Sequence, residues 1–239
     1  MCGRVIADYD ELIQHASGTV LEPWMVRKPA EAVSSWNIKP TQQLPIVFTS
    51  REDGSKHFET AFWSLIPRWA EELRPRYATF NARIESVHDR ATFKAPIKNQ
   101  RAIIPVTGFY EWTGEKGSRV PHAIFGPAAI LPMAGMYTYW ADPDVPGAEG
   151  RHLTATILTM DSAGTMEHLH TRMPVFVPPQ LTEDWLNPEV LGDDMLLSAV
   201  QATSVPFAEQ LFEYQVDPLR GNGPGLIKPR QQAGLDFSS

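Results

Sequence analysis

The sequence predicts an α+β fold: a curved, mostly antiparallel sheet or a partly open β-barrel, with helices at its periphery. Three observations point there. Nine short runs rich in β-branched and aromatic residues are each bounded by Pro, Gly or Asp, the pattern of strands between turns. No regular helical pattern of about 10–15 residues separates them, as a parallel doubly wound sheet requires. The 21 prolines, where an average usage of ~5% gives about 12, supply many turns and loops.

Taken in order, DYDELIQHA (8–16) has apolar residues at helical spacing. LPIVFT (44–49) and HFETAFWSL (57–65) read as strands, and VHDRATFKA (87–95) as a helical turn. RAIIPV (101–106), GFYEWT (108–113), PHAIF (121–125), MAGMYTYW (133–140) and HLTATILTM (152–160) read as further strands. The segment ADPDVPGAEGR (141–151) is the richest in Pro, Gly and Asp and reads as a surface loop. MPVFV (173–177) is a strand, LTEDWL (181–186) a helix, and DDMLLSAVQA (193–202) a helix opened by an Asp cap and an acidic first turn. LFEYQV (211–216) is the ninth strand. No interior stretch shifts to a linker composition and none repeats, so residues 1–239 are expected to form a single domain.

A hydrophobic content of 43% suffices for a sizeable core. The opening residues lack a basic and then apolar leader, and no apolar run reaches the eighteen or so residues needed to span a bilayer. The expectation is a soluble cytoplasmic protein. One cysteine excludes an intrachain disulfide and the paired-cysteine spacing of zinc sites. His168 and His170 in EHLH have no further ligand at metal spacing, so no metal is expected. A net charge of −7 argues against coating nucleic acid by bulk electrostatics, yet leaves room for a local basic groove. Arg4, Arg68, Arg74, Arg76, Arg83, Arg90 and Arg101 all lie in the first 101 residues, while acids crowd 141–149 and 183–194.

The lone thiol is Cys2, in MCGR. Removal of Met1 is favoured by the small side chain that follows it, and would leave Cys2 with a 1,2-aminothiol. Its amine and thiol have reference pKa values of about 7.7–8.0 and 8.5, so both are partly deprotonated near neutrality. Such a pair condenses with an aldehyde to a Schiff base that the sulfur then closes to a thiazolidine. The alternative is a small hydrophobe tucked under the first strand.

Four polar residues stand in apolar surroundings, where an idle polar group costs free energy. Glu111 lies between Tyr110 and Trp112, and strand alternation puts it on the opposite face from both. That face is either solvent or a functional interior. His170 precedes the apolar MPVFV run, as a site residue or a satisfied structural histidine. Asn81 and Arg83 are two donors on one face if TFNARIES is extended, suited to a phosphate or sugar oxygen; otherwise they are a turn Asn and a surface Arg. Trp69, among Arg68, Arg74 and Arg76, and Trp36, near Lys39 and the rigid Pro40, are aromatics in basic company, where stacking of an unpaired base contributes roughly 1–3 kcal/mol. Either also reads as core.

MCGR, WNIKPTQ, FWSLIPRW, FNARIES, GFYEWT and LHTRMPVFV, in this order, resemble the SRAP family, the SOS-response-associated peptidase-like or abasic-site processing proteins. The resemblance runs from Cys2 to about residue 230; YQVDPLRGNGPGLIKPR departs from it, with Asp217 where an asparagine is expected. It implies a protein that links itself covalently to abasic sites in single-stranded DNA, with possible lyase activity and self-processing of Met1. Cys2 is then the nucleophile, with Asn81, Glu111 and His170 as catalytic neighbours, and Arg4, Asn37, Pro40, Trp69 and Arg83 bind DNA. It implies no cofactor, and a monomer that is nucleoid-associated when on DNA. Two readings compete: a thiol peptidase acting on other proteins, and a non-covalent single-stranded DNA-binding module.

Overall fold

The computed structural model describes residues 3–73, 77–115, 117–145 and 147–231; Met1 and Cys2 lie outside them. In chain order the elements are β1 (Val5–Ala7), α1 (Tyr9–Ala16), β2 (Ser35–Ile38), β3 (Gln43–Thr49), β4 (Lys56–Trp63) and β5 (Asn81–Arg83). Then come α2 (Ala91–Lys94), α3 (Pro96–Asn99), β6 (Arg101–Val106), β7 (Gly108–Thr113), β8 (Val120–Phe125), β9 (Leu131–Ala141) and β10 (Arg151–Asp161). β11 (Arg172–Pro174), α4 (Thr182–Leu186), α5 (Asp194–Ala208) and β12 (Phe212–Gln215) complete the order. Each of the nine strand-like runs contains a strand, and the four helical segments are α1, α2, α4 and α5.

Strands β10, β4, β3, β6 and β9 pair in that order, and β9 pairs back onto β10, closing a five-membered ring. Every contact in the ring is antiparallel except β4 with β10. β3 and β9 are not neighbours, so the Phe48 and Tyr137 rings, with centroids 4.3 Å apart, meet across the interior. His57, directly opposite Phe48 and stacked on it at 4.7 Å, shares that inward face towards one mouth. Alternation sends Phe58 to the outside, where α1 covers it through Tyr9. Gly135 allows β9 and β10 to approach: a Cβ there would lie 2.7 Å from the Thr156 carbonyl oxygen.

The second sheet is wholly antiparallel, in the order β12, β8, β7, β1, β2. Its inner face carries Val5, Phe109 and Ile124 into the main core. Its outer face carries Ile6, Tyr110 and Ala123 into a smaller cluster closed by Val216, Leu219 and Ile227 of the C-terminal segment.

Differences from the expected elements have local causes. MPVFV is a strand only to Pro174; beyond it Val175 and Val177 still donate, to Leu158 and Pro132 carbonyls, while Val175 accepts from Ala134. The chain thus threads between β9 and β10 rather than pairing with one of them. α5 starts as expected, with the Asp193 carboxylate accepting from the Met195 and Leu196 amides, and runs on to Ala208 through Pro206. The Thr203 and Ser204 hydroxyls bond back to the Ala199 and Val200 carbonyls in that stretch. Arg101, 3% exposed, is a clasp. Its guanidinium donates to the carbonyls of Ile97, Lys98, Asp184, Trp185, Asn187 and Val190, joining the ends of α3 and α4, and burial brings its pKa down to about 10.

Candidate active site

Glu111 follows from alternation along β7. Phe109 enters the main core, so two residues on Glu111 points the same way, and it is 3% exposed. Its cross-strand partner on β8 is His122, 5% exposed. Burial pushes the Glu111 carboxyl above the usual carboxylate range, against a smaller downward pull from the Trp112 amide and the Arg119 charge.

His170 lies in the turn between a 3-10 turn (Gly164–Met166) and β11. Its amide donates to the Met166 carbonyl at 3.1 Å, and its Nδ1 accepts from the Arg172 amide at 2.9 Å. A nitrogen that accepts holds no proton, so the neutral ring carries its hydrogen on Nε2. Burial lowers the His170 pKa, and Arg119 and Arg172 push it the same way. Arg119 thus lowers the pKa of Glu111 and of His170 alike.

Asn81 opens β5, which runs parallel to β10 with Asn81 opposite Ile157 and Arg83 opposite Thr159. The segment is extended, so Asn81 and Arg83 share a face; Asn81 is half-buried and Arg83 exposed. β11 flanks the same end of β10 from the other side, with Arg172 opposite Asp161. The Arg172 guanidinium bonds Glu85 (2.8 and 2.9 Å), Asp161 (2.5 Å) and the Thr159 carbonyl (2.7 Å), locking the segments that carry Asn81 and His170 to β10.

Arg4 and Asn37 form a separate group. Arg4 Nη1 donates to Asn37 Oδ1 at 2.6 Å, Asn37 Nδ2 donates to the Gly221 carbonyl at 2.8 Å, and the Arg4 guanidinium lies 5.7 Å from the Trp112 ring centre. These contacts are on the Tyr110–Trp112 side of the sheet, opposite Glu111, although the Arg4 carbonyl accepts from the Tyr110 amide next door. Pro40 is half-buried just after β2, and Thr41 beside it has φ 72°, a strained value for a β-branched residue. Trp69 is 70% exposed and walls a cleft of about 570 Å³ with Arg51, Arg68, Lys94 and Lys98. The segments leading to Trp69 and to Asn81 run side by side, joined by the Leu65 amide and Thr79 carbonyl at 3.2 Å. Among the described residues no cluster of three or more His, Cys, Asp or Glu is placed to hold a metal ion.

The sequence pattern of the SOS response associated peptidase (SRAP) family matches residues 1–220. This chain belongs to the SRAP family. It is 32% identical to the abasic site processing protein YoqW of Bacillus subtilis over 95% of this chain and 99% of that one. With the abasic site processing protein HMCES of Xenopus tropicalis it shares 29% identity, over 64% of this chain and 53% of the other. Among solved structures, a protein from Bacteroides thetaiotaomicron superposes with TM-score 0.71 at 22% identity, covering 97% and 98% of the two chains. A phage-related protein from Bordetella bronchiseptica gives 0.67, also at 22% identity. At such identity the structures speak for the fold alone.

In this SRAP chain Glu111 stands on the inner face of β7, Asn81 and His170 lie on segments that flank one end of β10, and Arg4 and Asn37 sit across the sheet from Glu111; Cys2 lies outside the described residues. A buried carboxyl with a raised pKa and an imidazole presenting Nε2–H are groups able to exchange protons with a bound molecule. Residue-by-residue reading missed Arg119, Lys94, Lys98, Arg51 and Arg172. The Lys94–Lys98 spacing of four was the available signal for two of them, although the two residues fall in separate short helices, α2 and α3.

Proposed function

We propose that this SRAP protein captures the ring-opened aldehyde of an abasic site in single-stranded DNA through the amine and thiol of Cys2, once Met1 has been removed. The amine adds to the aldehyde and water leaves as the Schiff base forms. The thiol then adds to the C=N carbon, its proton passes to nitrogen, and a thiazolidine results. Glu111 accepts the proton of the α-amine before attack and returns it to the departing oxygen, a task suited to a buried carboxyl of raised pKa. His170, neutral with its hydrogen on Nε2, donates to the sugar oxygen on ring opening and serves any β-elimination that nicks the strand. Asn81 hydrogen-bonds the deoxyribose.

Arg83 is exposed on the same face as Asn81 and meets a phosphate there. The Arg4 guanidinium, with five N–H donors of which one goes to Asn37, meets another across the sheet edge. Pro40 and Trp69 bracket the unstacked bases, and the cations of the Trp69 cleft follow the backbone. One domain acts as a monomer. The observation that supports this reading most is the state of the two groups: Glu111 is buried with a raised pKa, and His170 is held as a single tautomer.

The test is intact mass spectrometry after mixing the protein with a single-stranded oligonucleotide bearing one abasic site and denaturing. A species lacking Met1 and heavier by the DNA minus one water is expected, absent in Cys2→Ser while that variant still binds the DNA. Absence of any covalent species from the unaltered protein, with DNA still bound, would overturn it.

A further inference from the structure

A chain of hydrogen bonds links the strand that bears Glu111 to the turn that bears His170, and both links end on one carboxylate. His122, directly across from Glu111, uses both ring nitrogens: Nε2 lies 2.8 Å from Thr113 Oγ1 and Nδ1 2.6 Å from Glu213 Oε2. The other Glu213 oxygen lies 3.2 Å from Nε2 of His168, two residues before His170. Register explains why Glu213 is there: β12 pairs with β8, and Glu213 stands opposite Ile124 on the inner face. Its neighbours Phe212 and Tyr214 instead stack on Phe125. An acid and a histidine taken this far out of water are costly beside an apolar pair of similar volume. Packing alone gives no reason for them next to Ile124.

We propose that Glu213 is a positioning residue of the active site, setting the Glu111 strand through His122 and the His170 turn through His168; this rests on the proton-exchange roles given above to Glu111 and His170. Glu213 touches neither group. It fixes their separation, on which proton transfer to a shared substrate depends steeply: displacement by about 1 Å costs on the order of 100-fold.

The experiment measures the single-turnover rate of covalent capture at saturating abasic oligonucleotide, and the half-saturating concentration, for Glu213→Ala, Glu213→Gln and His168→Ala. Glu213→Ala is expected to slow capture about tenfold with half-saturation unchanged, and Glu213→Gln, which keeps an acceptor towards His122, to recover to within about threefold. His168→Ala removes an exposed side chain and should slow capture about threefold without lowering the melting temperature, so it carries the test if Glu213→Ala does not fold. Wild-type rates in Glu213→Ala, or equal losses of rate and DNA affinity in all three variants, would overturn the proposal. Imidazole NMR of His170 reads the coupling without DNA. A single Nε2–H tautomer in the native protein that becomes averaged in Glu213→Ala and His168→Ala supports it, and an unchanged spectrum refutes it. A native protein that forms no covalent species refutes the capture chemistry instead, and the NMR outcome still decides the coupling.

Discussion

The two ends of β10 handle polar groups in opposite ways. At its start, Arg151 lies 4.0 Å from the Tyr139 ring centre and 3.2 Å from Glu52, beside the barrel mouth where Ser55, His57 and Glu59 hydrogen-bond in series at 2.7 Å each. The His57 and Glu59 side chains are 31% and 40% exposed, so these pairs are wet and contribute little. At its far end, about 33 Å away at ~3.3 Å per residue, Arg172 is 7% exposed and holds Glu85 and Asp161. Glu111 and His170 are both set against their solvation, and His170 lies on the segment that this clamp holds. A cavity of about 860 Å³ opens near His57 and Arg151, not by Glu111. Open volume and costly burial therefore point to different places; a surface cleft is free, while a desolvated acid is not.

This contrast can be broken, and the largest expected effect is at Arg172. Arg172→Met should cost about 3 kcal/mol in denaturant unfolding, since it strands the Thr159 carbonyl and releases two carboxylates. Burial alone would raise the Glu85 carboxyl, but bonding to Arg172 holds it below the usual range. The clamp is therefore intact above the unfolded carboxylate value of about 4.3 and weakens as pH falls through the folded value. A loss under 1 kcal/mol would put this end on a par with the mouth.

Next is Glu111→Gln, expected to slow covalent capture by about 100-fold. The same change should raise the melting temperature at pH 7 by about 2–4 °C, because it removes a charge that burial disfavours. The sign follows from the raised pKa: the native acid is at no disadvantage below about pH 4.3 and loses stability as pH rises towards its folded value, so the gap should vanish on acidification. Lys94→Glu with Lys98→Glu should weaken binding of undamaged single-stranded DNA about tenfold and flatten its salt dependence by one to two ion equivalents, with the saturating capture rate unchanged. Smallest is Glu59→Gln at the mouth, expected within about 0.5 kcal/mol by thermal melting and at wild-type capture rate; a larger effect would mean that this end also stores free energy.

Much of the fold was legible because strands and turns leave local marks. Alternation and bounding prolines located β3, β4 and β6 to β10, and the Asp193 cap located the start of α5. β1, β2 and β5 have three or four residues each and are too short to show a period. Closure of the ring left no mark either, since it depends on β9 and β10 pairing with strands far away in sequence. The same divide runs through the candidate site. Glu111 and His170 stand out as polar residues in apolar runs. His122 and Glu213 are separated by 91 positions and matter only through each other, so neither neighbourhood announces them.

The parallel seam between β4 and β10 also sets an order of events during folding. β9 and β10 are consecutive and can zip as a hairpin, whereas Phe62 must find Thr154, and Asn81 must find Ile157, across long loops whose closure entropy comes before any contact rewards it. Asn81 and His170 both depend on β10 for their placement. A chain still emerging from the ribosome therefore lacks the arrangement of these two side chains until β10 has left the exit and found its distant partners.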